Sequence, residues 1–238
     1  MIGRLFTAIR IARMSPEERL QKMRVDWDRR AAENPRHYVA SAQKNWTDDE
    51  FFRSGEETVR NYILTDMENI CQGRDPKSLR VLEIGCGAGR ETRALAGIFG
   101  EVHAVDVSSE MVRLARESLG GLPNAFVYHN SGADLAVVPE QPMDFAYSHL
   151  VFQHIPSREI IGSYVHEVHR LLRPGGLFKF QLQGFPVPLG AWLADTWDGV
   201  PFSEGQILQL ASETGFESRY REGVGEQYFW NWFFKPAA

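Results

Sequence analysis

The sequence predicts an α/β fold: a doubly wound, mostly parallel seven-stranded sheet ending in an antiparallel hairpin, with helices in front of it. Three observations carry that expectation. Short apolar runs alternate with helix-period segments from Arg80 to Gln183, the rhythm of βαβ units. A glycine-rich turn, Gly85-Cys-Gly-Ala-Gly89, joins the first of those runs to a helix. Two last runs, Phe216–Glu222 and Gln227–Lys235, flank Gly223-Val-Gly225, and strands joined so closely must be antiparallel neighbours.

In chain order, Ser15 and Pro16 followed by Glu17 and Glu18 supply an N-cap, a proline at the first helical position and acids in the first turn. That helix runs to about Ala32, where Asn34-Pro35 interrupts it. A second helix starts after Thr47-Asp48 and carries Phe51, Phe52, Val59, Ile63 and Met67 towards Cys71. Gly73 to Ser78 reads as a polar linker, so residues 1–72 form an N-terminal helical cap segment and 73–238 the sheet domain. The strands fall at Arg80–Ile84, Val102–Val107, Ala125–His129, Asp144–His149 and Leu177–Gln183. Between them lie a helical segment to Phe99, helices over Glu110–Leu119 and Arg158–Leu172, and the turn Arg173-Pro-Gly-Gly176. Ser203 caps a helix that stops at Thr214-Gly215, and Tyr228–Phe234 reads as a buried strand.

Composition narrows the partners. The net charge of −5 gives no basic face for phosphates, so no nucleic-acid partner is expected. Cys71 and Cys86 lack metal-ligand spacing and make no disulfide framework, which fits a reducing cytoplasm. No apolar run is long enough to span a bilayer, and the N-terminus lacks the features of a signal peptide. In residues 1–14, Ile2, Leu5, Phe6 and Ile9 fall at helical spacing among Arg4, Arg10 and Arg13. This stretch has two readings: peripheral contact with a membrane or partner, or a short helix docked on its own domain.

The chemistry concentrates after the first strand. Val81-Leu-Glu-Ile-Gly-Cys-Gly-Ala-Gly89 is an E-x-G-x-G-x-G turn, and glycines there let backbone approach a ligand at a helix N-terminus. A dinucleotide site wants G-x-G-x-x-G, but Arg90 stands at the third glycine position, which favours a cofactor with an amino-acid end. Asp106 closes the second strand, about twenty residues on, where an acid accepts both ribose hydroxyls in doubly wound folds.

From VLEIGCGAGRET, VDVS at 106–109, DFAYSHLVFQHIP at 144–156 and LLRPGG from Leu171, the chain resembles the class I S-adenosylmethionine-dependent methyltransferases over most of residues 80–183. The resemblance implies S-adenosylmethionine as cofactor. Glu83 with the turn residues Gly85, Cys86, Gly87 and Gly89 would hold its methionine end, Asp106 the ribose and Val107 one adenine face. Ser148 and His149 would lie beside the methionine moiety. Many relatives bind the adenine amino group with an aspartate after the third strand. Here Ser131 stands at that spacing, and Ser131, Asn130 or backbone near Gly132 takes the role, with Asp134 a turn residue.

Methyl transfer needs alignment above all, and a hydroxyl acceptor also wants a base of near-neutral pKa. His154 and His149 follow the fourth strand at the edge where ligands bind. His154 is either the base or a helix-start residue; His149 is a base or, more in keeping with its place, part of the cofactor wall. His166 and His169 lack the HExxH arrangement, so no metal is expected. Trp46, Phe51 and Phe52, or Trp192 and Trp197 in the long loop from Gly184 to Pro201, are candidates to roof a substrate pocket.

The expected activity is methylation of a small-molecule or sugar acceptor, oxygen ahead of nitrogen. No Asn/Asp-Pro-Pro-Tyr/Phe segment follows strand four and no Pro-Cys pair is present. An oxidoreductase is disfavoured by Arg90 and by the lack of Tyr-x-x-x-Lys, and an aminopropyl transferase by the lack of a recognisable acidic channel. A non-catalytic cofactor-binding partner protein and a membrane-surface enzyme acting on a lipid-linked substrate are the alternatives.

Overall fold

A computed structural model describes residues 14–185, 196–197 and 199–237. The amphipathic stretch tied to membrane contact, Trp192 and most of the 184–201 loop therefore lie outside the described residues.

Helix α1 (Pro16–Glu33) begins at a reciprocal cap: the Glu18 N–H donates to Ser15 Oγ at 3.2 Å and the Ser15 N–H to the Glu18 carboxylate at 2.7 Å. Asn34 then caps a five-residue helix α2 (Pro35–Val39), so the expected interruption is a corner between two helices. The second expected helix divides. α3 (Asp48–Tyr62) ends before a single 3₁₀ turn at Leu64–Asp66, and α4 (Met67–Cys71) follows. The break turns Asp66 inward, where its carboxylate accepts from Lys179 Nζ at 2.8 Å and from Trp232 Nε1 at 2.5 Å.

The sheet comprises β1 (Arg80–Ile84), β2 (Glu101–Asp106), β3 (Ala125–His129), β4 (Met143–Ser148), β5 (Leu172–Leu182), β6 (Glu217–Glu222) and β7 (Phe229–Phe234), in the order β3-β2-β1-β4-β5-β7-β6. β1 to β5 pair in parallel; β7 inserts antiparallel between β5 and β6. The intervening helices are α5 (Arg90–Ile98), α6 (Ser109–Leu119), α7 (Arg158–Leu171) and α8 (Glu204–Thr214), the last ended by Gly215 at φ +80°.

Strand boundaries differ from expectation by no more than a residue or two, except at the start of β5. Arg173–Gly176, read as a turn, is the first part of β5, where the register slips between Met143↔Leu172 and Phe145↔Leu177. Asp144 pins that bulge by accepting from Arg173 Nε at 2.8 Å, from the Arg80 N–H at 2.8 Å and from Arg74.

Both sheet faces are covered, which is why the central strands read as continuous apolar runs. Ile84, Phe152, Val165, Phe178, Phe180 and Phe233 form one core with α7 and α8. Val59, Ile63, Leu95, Phe99, Phe145 and Leu177 form the other, so α3 and α4 are a layer on the sheet. Among the described residues no helix is long and apolar enough to cross a membrane.

Candidate active site

The strand order reverses beside β1, and a cleft opens there at the carboxyl ends of β1, β2 and β4. Gly85 and Gly87 shape its floor at φ +78° and +53°, and Gly89 behind them takes φ +85°, conformations that disfavour side chains. The Gly85 and Cys86 N–H groups both donate to the Val105 carbonyl, at 2.8 and 3.0 Å, tying the turn to β2. Space matters as much as φ: a Cβ on Gly87 would lie 2.5 Å from Val39 Cγ2 of α2, and one on Gly85 would strike Val151.

Asp106 faces this turn. Its Oδ2 accepts the Gly87 N–H and its Oδ1 the Ser108 N–H, both at 2.8 Å, leaving each oxygen a lone pair for a further donor. Burial pushes its carboxyl up to about 6, against the pull of those two N–H groups. Asn130 is buried and donates to the Tyr164 hydroxyl at 2.7 Å, but its Oδ1 has no partner. A buried acceptor in that state favours a ligand N–H.

The opposite end is acidic and tightly braced. Glu83 is buried on β1 and accepts from Thr92 Oγ1 at 2.6 Å. Burial, reinforced by the neighbouring Glu91, pushes its carboxyl up to about 8. Burial acts on Glu91 in the same sense, yet the adjoining His149 and Arg90 outweigh it and hold Glu91 below the usual carboxylate range. Arg90 pairs with Glu91 and is anchored on α3 by Ser54 Oγ at 3.3 Å and Thr58 Oγ1 at 3.0 Å.

The two imidazoles differ. His149 Nδ1 lies 2.9 Å from Glu91 Oε1, and its ring packs against Trp230 at 5.4 Å and Tyr62 at 5.2 Å. His154 Nε2 lies 3.1 Å from Gln153 Nε2, its Nδ1 faces the Trp197 carbonyl, and Trp27 and Trp197 pack on its ring. Between them Leu150 adopts φ +57°, unusual for a branched residue, and Gln181 Oε1 accepts its N–H at 3.1 Å.

Glu83, Gly85, Cys86, Gly87, Asp106, Val107, Asn130, His149 and His154 all line the cleft. Four other expected residues turn elsewhere. Ser148 Oγ donates to the Ile84 carbonyl at 3.1 Å, locking β4 to β1. Ser131 Oγ closes its own turn, donating to Asp134 at 2.7 Å and accepting the Asp134 N–H at 3.0 Å, with Asp134 serving as the turn residue. Gly89 backs onto Leu119 and Ser118 of α6, and Gly132 onto Leu20 and Val107.

Trp27, Tyr38 and Val39 on α1 and α2, and Arg90 and Glu91 on α5, line the cleft without having been found from sequence. Only the Arg90-Glu91 pair abutting the glycine turn could have hinted at them. Trp46, Phe51 and Phe52 cluster instead with Ala31, Ala40 and Ala88 and do not line the cleft, whereas Trp197 packs over His154. His169 meets Phe216 edge-on at 4.9 Å, and no group of three metal-type ligands is gathered among the described residues.

A glycine cradle at a strand-order reversal, with a carboxylate ending the next strand, defines a nucleoside-binding Rossmann-like domain. Comparison specifies it further. Residues 81–176 match the sequence model of a family described as a methyltransferase domain. Phosphoethanolamine N-methyltransferase 2 of Caenorhabditis elegans is 32% identical over 106 residues, 44% of this chain and 24% of that protein. The ubiquinone biosynthesis O-methyltransferase of Xanthomonas oryzae is 32% identical over 116 residues, 47% of this chain and 46% of that protein. The chain thus spans less than half the length of these curated relatives. Among solved structures, phosphoethanolamine N-methyltransferase 1 of Haemonchus contortus, in complex with phosphoethanolamine and S-adenosylhomocysteine, superposes with a TM-score of 0.69 at 16% identity. That match covers 94% of this chain and 51% of the other. Residues 81–176 thus resemble a methyltransferase domain, and the chain has the fold of class I S-adenosylmethionine-dependent methyltransferases.

Proposed function

We propose that the protein transfers a methyl group from S-adenosylmethionine to a small-molecule or glycosidic acceptor, oxygen ahead of nitrogen. The observation that carries this reading is the polarity of the cleft. A braced acidic end at Glu83 suits an ammonium group, while Asp106 and the unpartnered Asn130 Oδ1 suit ribose hydroxyls and an adenine amino group. Val107 and Met111 flank the place between them for the base.

The cofactor, when bound, supplies a methyl group on a sulfonium sulfur. The chain's part is to orient the acceptor, exclude water and hold a proton acceptor near it. Residues 16–39, within the expected cap segment, supply the roof through Trp27, Tyr38 and Val39. The matched relatives include an N- and an O-methyltransferase; two imidazoles in the cleft wall weigh for oxygen, because a hydroxyl needs deprotonation and a neutral amine does not. Buried free thiols at Cys71 and Cys86 support a reducing, cytoplasmic setting.

Titration calorimetry checks the cofactor. S-adenosylmethionine and S-adenosylhomocysteine should both bind, and Asp106→Ala should weaken each by about 100-fold, the worth of two charge-assisted hydrogen bonds. Undiminished affinity in that variant would sink the assignment. Methyl transfer to a panel of phenols, carboxylates, amines and sugars then separates an enzyme from a protein that only binds the cofactor.

A further inference from the structure

We infer that His149, positioned by Glu91 and the Arg90–α3 brace behind it, is the proton acceptor of the cleft, and that His154 is a structural ring. The inference rests on the methyltransferase reading and deepens it. His149 is the residue directly after β4, one peptide from the Ile84-bound Ser148 and facing the cleft beside Glu83 and the glycine turn.

Its hydrogen bonding is one-sided. Nδ1 meets Glu91 Oε1 at 2.9 Å, and a carboxylate only accepts, so the Nδ1 proton belongs to that bond. The lone pair is then on Nε2, which has no hydrogen-bond partner among the described residues and is not sealed from solvent-sized space. His154 is the reverse case, with Gln153 on one nitrogen and the Trp197 carbonyl on the other. Of the two imidazoles in the cleft wall, His149 is the one that offers an acceptor hydroxyl an available lone pair.

The brace is continuous. Ser54 and Thr58 of α3 hold Arg90, Arg90 pairs with Glu91, Glu91 holds Nδ1, and Trp230 and Tyr62 fix the ring plane. The charged and titratable groups around the ring are Glu91 and Arg90 of α5, Tyr62 of α3, Tyr147 of β4 and, behind Trp230, Lys179 of β5. Nε2 takes the hydroxyl proton as the acceptor oxygen bonds the methyl carbon and the carbon–sulfur electron pair stays on sulfur. Charge balances, because the sulfonium loses its positive charge as the imidazole gains one.

The test needs no known acceptor. In ¹⁵N-histidine-labelled, ligand-free protein at alkaline pH, the His149 resonances should show a protonated Nδ1 and an unprotonated Nε2. Diethyl pyrocarbonate, followed by peptide mass spectrometry, should modify His149 at least ten-fold faster than His154, and S-adenosylhomocysteine should protect it. In Glu91→Gln, whose amide can also donate, the tautomer ratio at His149 should shift towards Nε2–H, with thermal unfolding monitored to confirm folding. A wild-type ring protonated at Nε2, or a His154 that reacts as fast as His149, overturns the inference. Failure of S-adenosylhomocysteine to bind strikes the cofactor reading alone, since tautomer and reactivity are read without it.

Discussion

At the residue scale, the two raised carboxyls make a prediction with a definite sign. Glu83 titrates near 8 and Asp106 near 6, both above their ordinary values, so the folded chain holds protons that the unfolded chain has released. Their effect is therefore to lower stability as pH rises, up to the folded value in each case. His103 and His169, held down by burial, act in the opposite direction only below their ordinary value of 6.5. Asp26 and Asp144, held low despite burial by their ion pairs and hydrogen bonds, lose their contribution only as pH falls below 3.8. Between pH 7 and 8.5 Glu83 is left as the main term, about 1 kcal/mol or about 3 °C in melting temperature. Ligand-free protein should melt lower at pH 8.5 than at 7, Glu83→Gln should flatten that trend, and a trend unchanged by the substitution would exclude Glu83 as its source. Binding of the cationic cofactor should release a proton, visible as a calorimetric heat that depends on buffer ionisation enthalpy.

At the scale of elements, an acid on α1 fastens the roof to the Asp106 end of the cleft. Asp28 of α1 accepts from Ser108 Oγ at 2.6 Å and from the Glu110 N–H at 3.3 Å, at the N-terminus of α6, while the Ser108 N–H serves Asp106. Asp28→Ala should cost about 1–2 kcal/mol, as loss of a helix-terminal acid does. It should also speed tryptic cleavage at Lys22, Arg24 and Arg29 and raise the S-adenosylhomocysteine dissociation rate. Unchanged cleavage would mean that the Arg24–Ser131 and Thr196–Asp26 contacts hold α1 by themselves. Much of this scale is legible in the chain: Ser15, Thr47 and Ser203 announce their helices, and β1 and β3 fall on their expected residues. The split after Tyr62 is not legible, because its cause is a lysine more than a hundred residues away.

For the whole molecule, that lysine binds the α3–α4 layer to β5 of the sheet. Lys179 is buried and donates to Asp66 at 2.8 Å and to the Tyr62 carbonyl at 2.5 Å. Removing one partner of such a pair strands a charge, so Asp66→Ala should lose about 3–5 kcal/mol in denaturant unfolding. Asp66→Leu with Lys179→Met should recover at least half of that; no recovery would mean that the Trp232 bond carries the stability. The site shows the same divide between local and distant information. The cradle and Asp106 are readable because they are contiguous motifs with local geometry. Glu91 with His149, and Trp27 with His154, are brought together only by the sheet and the roof, and no spacing rule encodes them.

The antiparallel insertion of β7 has an optical consequence. It sets the Trp230 indole nearly parallel to the His149 ring, 18° apart at 5.4 Å. A protonated imidazole quenches an adjacent indole by accepting an excited electron, and a neutral one does so far less. The protein thereby contains a fluorophore beside the atom assigned the proton, set in the sheet and apart from the roof. With Trp27 and Trp197 replaced by Phe, stopped-flow emission during a single turnover would record that proton arriving and leaving. A trace insensitive to His149→Asn would show that the light comes from elsewhere.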